Sequence, residues 1–285
     1  MRTDRQGRRA AVVGSPVQHS LSPVLHEAAY AELGLRDWSH GRVERDAAGL
    51  AQLAGELGPE WAGLSVTMPG KRAAMAVASE ATDRAEAVGA ANTLVRRPGG
   101  GWFADCTDVE GVTGALRSAS GFTGGSRALL LGAGGTAAAA LVGFAELGVR
   151  EVVLAVREPA RAEEAVRTAQ RVGIAVRTER LGELDLAAAV GETDVVVSTL
   201  PAGAVDDRAP VLAAAPCLLD VIYHPWPTPL AKAVERAGGR LATGLDMLLH
   251  QAFGQVEQFT GSRAPRERMR EALSAATGRV LAPAL

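Results

Sequence analysis

The chain has 285 residues and a formal net charge of −2, a length at which one hydrophobic core commonly gives way to two domains. Hydrophobic residues make up 47% and charged residues 22%, the profile of a soluble globular protein without the basic excess that a nucleic-acid partner requires. Aromatics are only 4%, which leaves few platforms for stacking bases.

From the amino end, residues 1–7 read as a loose tail, and no apolar run before Gly14 is long enough for a signal peptide or a membrane span. "RRAAVVG" predicts a first strand, closed by Gly14 and a Ser-Pro turn. "SPVLHEAAYAELG" predicts a helix with Ser22 as N-cap, Pro23 in the first turn and Gly34 as stop. "SHGRVE" reads as a second strand, and "AAGLAQLAGELG" as a helix with Leu50, Leu53 and Leu57 at helical spacing. "GLSVT" is a third strand and "KRAAMAVASEAT" one helix from Lys71. "ANTLVRR", a Pro-Gly turn and "GWFADCTD" form a hairpin.

After Asp108 the pattern changes. "VEGVTGALRSAS" is helical, and "RALLLGAGGTAAAALVGFAELG" reads as strand, glycine turn, helix. Strands follow at "REVVLAVR", "DVVVSTL" and "CLLDVIY", with helical segments between them, the alternation of a parallel α/β sheet. "DMLLHQAFGQVEQFTG" is an amphipathic helix, and the Arg-rich stretch after Gly261 an exposed one. Cys106 and Cys217 have neither metal spacing nor a disulfide framework, which fits a reducing cytoplasm. No His-rich cluster has metal-ligand spacing, so no metal is expected.

Gly132, Gly134 and Ala137 spell G-x-G-x-x-A between an apolar strand and an Ala-rich helix. In that context the first glycine permits the tight turn, and the second lets backbone approach a pyrophosphate. The small third residue lets helix and strand pack closely, with phosphate at the helix N-terminus. The bland alternative is an ordinary strand–helix turn. At the end of the next strand, Arg157 and Arg161 favour the 2′-phosphate of NADP, whereas Glu158 opposes it and keeps NAD open.

Lys71 follows a strand end that also offers Thr67. A lone lysine is most often a solvated group, but strand, turn and lysine in that order suit a substrate pocket at the carboxyl edge of a sheet. Asn92 offers hydrogen bonds to a ligand. Asp108 either pairs with Lys71 and tunes its acidity or simply caps the helix that follows. Ser20 and Ser22, at a loop–helix junction, either cap the helix or present two hydroxyls to an anion such as a carboxylate. His19 and His26 read as structural.

Taken together, "GSPVQHSLSPVLH", "GLSVTMPGK", "VGAANTL", "ADCTDVEG", "GAGGTAAAA" and "DMLLHQAFGQVEQFTG" resemble, in order, the shikimate dehydrogenase family over nearly the whole chain, about Ala10 to Gly261. The resemblance implies an α/β protein of two domains with a cleft between them. Residues 1–107 and 244–285 would form the substrate domain and residues 108–243 a Rossmann-type NADP domain. It implies reversible NADPH-dependent reduction of 3-dehydroshikimate to shikimate, with Lys71 and Asp108 as the catalytic pair. Ser20 and Ser22 would bind the substrate carboxylate, and Thr67, Asn92 and Gln251 its ring hydroxyls, with Tyr223 near the substrate. The cofactor would lie on Gly132, Ala133, Gly134, Gly135, Thr136, Ala137, Arg157, Arg161, Thr199, Val221, Gly244 and Met247. It also implies a small-molecule substrate, no membrane partner, and a monomer or homodimer. Three positions depart from the family pattern. Ser65 replaces the frequent asparagine of N-V-T, Cys106 that of N-T-D, and Val156-Arg157-Glu158 stands where N-R-T is common. Rival readings are a quinate or quinate/shikimate dehydrogenase using NAD(P), against which the retained serine pair speaks, an aminoshikimate dehydrogenase, a dehydrogenase of other hydroxy acids, and a nucleotide-binding regulator without turnover.

Overall fold

The computed structural model describes residues 7–283, and it divides into two compact units. One ends at Thr107 and resumes at Gln251; the other runs from Asp108 to His250. Of the tail expected at residues 1–7, residues 1–6 lie outside the described residues.

The first unit carries β1 (Arg9–Gly14), α1 (Ser22–Glu32), β2 (Ser39–Glu44), α2 (Ala47–Glu56), β3 (Trp61–Val66) and α3 (Lys71–Val77). It continues with β4 (Glu80–Ala81), α4 (Asp83–Val88), β5 (Thr93–Arg96) and β6 (Trp102–Asp105). The sheet order is β2-β1-β3-β5-β6-β4. β1 runs parallel to β2 and β3, while β5 is antiparallel to both β3 and β6, which is the predicted hairpin. Central β1 and β3 are buried along most of their length, so their apolar runs lack the alternation of a half-exposed strand.

Local chemistry sets several boundaries. α2 starts where the Asp46 carboxylate accepts from the Gly49 N–H at 2.8 Å, an ordinary N-cap. Its Leu50 and Leu53 are buried, while Leu57 is half-buried. Ser22 is not the N-cap of α1. The helix begins at Ser22 itself, with Leu21 in the cap position and no side-chain cap bond. The expected helix over 71–82 is shorter than its alanines suggest, because α3 stops at Val77. Ser79 and Thr82 donate to the Trp102 and Ala104 carbonyls at 3.0 Å each, so the intervening residues pair with β6 instead of continuing the helix. Open ladder positions at a sheet edge outweigh a weak helix propensity.

The second unit carries α5 (Asp108–Ala115), β7 (Arg127–Leu131), α6 (Gly135–Glu146), β8 (Glu151–Val156), α7 (Glu163–Arg171) and β9 (Ala175–Arg180). After these come α8 (Leu186–Gly191), β10 (Val195–Ser198), α9 (Ala209–Leu212), β11 (Leu218–Asp220), α10 (Pro229–Arg236) and β12 (Leu241–Thr243). All pairs are parallel, in the order β12-β11-β10-β7-β8-β9. Successive residues of β7 serve opposite faces: Leu130 packs with Leu141 and Phe144 of α6, Leu129 and Leu131 with Leu186 and Leu212. A sheet covered on both faces therefore reads as an unbroken apolar run. β9, a polar edge strand, and the three-residue β12 were not expected from the sequence.

α11 (Gly244–Thr260) starts in the second unit and ends in the first, and α12 (Arg266–Thr277) follows it. α12 is not simply an exposed helix: Met269 and Leu273 are fully buried, and the helix packs on α1. Arg268 is exposed on the opposite face, whereas Arg266 follows the buried side and lies over the Phe253 ring, 5.1 Å from its centroid.

Candidate active site

In the first unit the turns after β1 and β3 lie side by side. Thr67 N–H donates to the Val13 carbonyl at 2.8 Å and Ser15 N–H to that of Met68 at 3.1 Å. Gly14 makes this approach feasible, since a Cβ there would lie 2.3 Å from Thr67 Cγ2. Lys71 opens α3 directly beyond this turn and is half-buried. Its carbonyl accepts from Ala91 N–H at 2.9 Å, which sets the lysine backbone beside the segment bearing Asn92.

Asn92 is buried, and its carboxamide is held on several sides. Its Oδ1 accepts from the Thr107 N–H at 2.8 Å and from Thr93 Oγ1 at 2.9 Å. Its Nδ2 donates to Thr107 Oγ1 at 3.0 Å and to Gln251 Oε1 at 3.1 Å. Two residues assigned to substrate hydroxyls, 159 positions apart in sequence, are thus joined directly. The hairpin makes this possible, because the β5–β6 register pairs Thr93 with Asp105. Asp105 is itself fixed by Cys106 N–H at 2.8 Å, Thr82 Oγ1 at 2.5 Å and Gln258 Nε2 at 2.6 Å.

Ser20 and Ser22 are also adjacent, with their hydroxyl oxygens 3.3 Å apart and Ser22 N–H donating to Ser20 Oγ. The Arg42 guanidinium donates twice to the Ser20 carbonyl, at 2.7 and 3.2 Å. A cation and two hydroxyls together suit an anionic ligand. Neither Arg42 nor Thr107 was singled out from the sequence. Thr107 carried a signal in "DCTD", one residue before Asp108; Arg42 carried none.

The second unit gathers the cofactor candidates at the carboxyl ends of its strands. β7 lies between β8 and β10, and at the reversal of strand order between β7 and β10 the chain forms the glycine turn, where ligands bind open α/β sheets. Gly132 has φ +100° and donates its N–H to the Ala155 carbonyl at 2.9 Å. A Cβ there would lie 2.6 Å from Thr199 Oγ1. Thr199 donates through both N–H and hydroxyl to the Leu131 carbonyl, each at 2.9 Å. Gly134 and Gly135 are exposed, and added Cβ atoms would meet open space. α6 starts there without a side-chain cap, so its first-turn N–H groups face that space. This cradle fits a dinucleotide pyrophosphate.

Val221, Tyr223 and Gly244 adjoin one another, since a Cβ on Gly244 would fall 2.1 Å from the Val221 carbonyl oxygen and 2.9 Å from Tyr223 Cδ1. Burial pushes the Tyr223 hydroxyl pKa up. The first turn of α11 is fixed by the Asp246 carboxylate, which accepts from the Thr243 N–H at 2.8 Å and hydroxyl at 2.7 Å, half of a capping box. Met247 is buried in the core that includes α6. Arg157 and Arg161 are exposed past the end of β8. Glu158 does not stand alone beside them: Arg180 Nη2 lies 3.5 Å from its carboxylate, and Arg180 Nη1 donates to the Arg157 carbonyl at 3.1 Å. Asp108 heads α5, buried; it and Tyr223 belong to the second unit, Lys71 and the serines to the first.

Among the described residues, no group of three His, Cys, Asp or Glu side chains is placed to hold a metal ion, and no helix is long and apolar enough to cross a membrane.

Known proteins share both the sequence and the architecture. The family pattern described as the shikimate dehydrogenase substrate binding domain matches residues 12–94, and that of the shikimate 5′-dehydrogenase C-terminal domain matches residues 244–273. The shikimate dehydrogenase (NADP(+)) of Methylobacterium radiotolerans is 38% identical over 90% of this chain and 92% of its own. The crystal structure of Mycobacterium tuberculosis shikimate dehydrogenase superposes with a TM-score of 0.89 at 54% identity, covering 94% of this chain and 99% of that one. Shikimate 5-dehydrogenase from Thermus thermophilus, in complex with NADP(H) and shikimate, gives 0.78 at 28% identity over 94% and 99% of the two chains.

Proposed function

The chain belongs to the shikimate dehydrogenase family, and from that premise we infer that it is an NADP-dependent oxidoreductase interconverting 3-dehydroshikimate and shikimate in the pathway to aromatic amino acids. What supports this reading most, beyond the family, is the junction of the Lys71 backbone with the buried Asn92–Gln251 pair. A lysine whose main chain bonds to the residue before Asn92 accords with a site that grips ring hydroxyls.

In this reading Ser20 and Ser22 take the substrate carboxylate, with the charge of Arg42 close by. Asn92 and Gln251 orient the ring through its hydroxyls, together with Thr67, and Tyr223 lies near the substrate. Lys71 Nζ gives a proton to the carbonyl oxygen during reduction and takes it from the hydroxyl during oxidation, while Asp108 tunes that proton's acidity. NADP(H), when bound at the glycine turn, supplies or accepts the hydride. Its adenosine 2′-phosphate is met by Arg157 and Arg161, and the Arg180 contact offsets the repulsion of Glu158. Shikimate is favoured over quinate because both serines are present. Two buried thiols outside any disulfide, Cys106 and Cys217, accord with a cytoplasmic enzyme, which we read as a monomer or homodimer.

The test is absorbance of reduced nicotinamide with shikimate or quinate, each with NADP or NAD. The expected outcome is turnover of shikimate with NADP and little with the other three pairs. Lys71→Ala is expected to lower kcat about 10²–10⁴-fold while calorimetric binding of NADP persists. Wild-type protein that binds both ligands without turnover would contradict the enzyme reading.

A further inference from the structure

Asn92 and Gln251 end a longer line of buried polar groups within the first unit. Tyr30 Oη lies 3.4 Å from His26 Nδ1, and His26 Nε2 lies 3.2 Å from Gln255 Oε1. Gln255 Nε2 donates to the Asn92 carbonyl at 3.0 Å and to Thr93 Oγ1 at 3.1 Å. Thr93 then donates to Asn92 Oδ1, and Asn92 Nδ2 to Gln251 Oε1. Gln255 is 1% exposed, so any polar group it leaves unmatched is costly.

The polarity of this line is determined at Gln255 and at the Thr107 N–H. A backbone carbonyl only accepts, so Gln255 must turn its nitrogen toward Asn92. Its oxygen then faces the opposite way, where it accepts from Ser65 Oγ at 2.8 Å and from the neutral His26 ring. Thr93, already accepting from Gln255, has its single proton left for Asn92 Oδ1. Together with the Thr107 N–H, which can only donate to Asn92 Oδ1, this directs the Asn92 nitrogen to Gln251 and so turns the Gln251 oxygen to Asn92. The Thr107 N–H fixes the sense of the Asn92 carboxamide, while Gln255 holds the Asn92 carbonyl and the Thr93 hydroxyl beside it.

Position 65 adds a second observation. Ser65 lies directly across the β3–β5 pair from Thr93, within reach of a longer side chain. Its hydroxyl donates to Gln255 Oε1 at 2.8 Å, so the strand supplies the partner that keeps the carboxamide from α11 turned.

We propose that Gln255 is a positioning residue for substrate binding, holding the Asn92 main chain and Thr93 so that the Asn92–Gln251 pair keeps its place. The proposal rests on the reading of Asn92 and Gln251 as substrate ligands. The experiment is steady-state kinetics and calorimetric shikimate binding on purified full-length variants, with unfolding midpoints recorded alongside. Gln255→Glu keeps size and the acceptor but draws the Thr93 proton away from Asn92. Gln255→Leu removes both functions, and Thr93→Val breaks the line at its next link if the glutamine variants fold poorly. Each is expected to raise the KM for shikimate about tenfold, with the KM for NADP and kcat changing much less. A lowered midpoint with shikimate KM unchanged in the glutamine and threonine variants would mean a purely structural glutamine and overturn the proposal. Asn92→Ala separates the two levels: if it too leaves the shikimate KM unchanged, the ligand reading itself is wrong.

Discussion

At Gly132 the demands of the fold and of the proposed cofactor site fall on one residue. At φ +100° an L side chain is strained, and a Cβ would press on Thr199 at 2.6 Å. Gly132→Ala is therefore expected to weaken NADPH binding at least about tenfold and to cost roughly 1–3 kcal/mol, measured by NADPH fluorescence titration and chemical denaturation. Unchanged affinity would remove the glycine turn from the cofactor site. Arg157 and Arg180 give a second prediction. Arg157→Ala is expected to raise the KM for NADP about tenfold while leaving that for NAD within about twofold, since only NADP carries the 2′-phosphate. Arg180→Ala, which exposes the Glu158 charge, is expected to move the same ratio in the same direction but less, because the pair is solvent-exposed. A parallel rise for both cofactors would contradict it. Gly132 and Arg157 were singled out in the sequence because a turn and its neighbours are spelled by adjacent letters; Arg180, 23 positions beyond Arg157, was not. Thr93 and Gln255 were not singled out either, because their roles exist only once a hairpin and a helix more than 150 positions away are brought together.

Among the elements, long apolar strands and amphipathic helices were read correctly, since burial on one or both faces leaves a period in the sequence. Failures fell where the deciding partner is remote. β4 exists because β6 offers open ladder positions, and β9 is polar because one side of it is a sheet edge. α12 looks exposed until α1 covers Met269 and Leu273. The packing of α11 on β3 is the sharpest such case. A Cβ on Gly63 would lie 2.1 Å from Phe259 Cε1 and 2.8 Å from the Leu94 carbonyl oxygen, so ring and backbone both block it. Gly63→Ala is expected to destabilise by about 1–3 kcal/mol. Tryptophan fluorescence in urea is a suitable measure, because Trp38, Trp61 and Trp102 all lie in the first unit. A midpoint equal to that of the parent would show that α11 shifts freely over the sheet.

For the molecule as a whole, the buried line of polar groups predicts how stability follows pH. His26 and His40 stack with ring centroids 3.9 Å apart, both inside the first unit. Burial holds the His26 pKa down at about 4, opposed by its bond to Gln255. Burial also holds His40 well below the ordinary value, reinforced by the neighbouring His26 and Arg42. Tyr30, Gln255 and Phe259 face His26, while Glu27 accepts from the His40 N–H at 2.6 Å, and both His40 ring nitrogens lack a hydrogen-bond partner. Unfolding releases both rings to the ordinary pKa near 6.5, so below that pH the unfolded chain binds protons that the folded one refuses. Stability is then full above about pH 6.5 and falls as pH drops toward 4, by up to roughly 1.4 kcal/mol per pH unit for each histidine. Unfolding midpoints followed by tryptophan fluorescence from pH 7.5 to 4.5 are expected to decline with that slope. His40→Phe, which keeps the stack and removes one titrating ring, is expected to reduce the slope by about half. A midpoint independent of pH across that window would mean that the two rings accept protons in the folded state. The Asn92 and Gln251 carboxamides would then sit beside a charge instead of at the end of a neutral line.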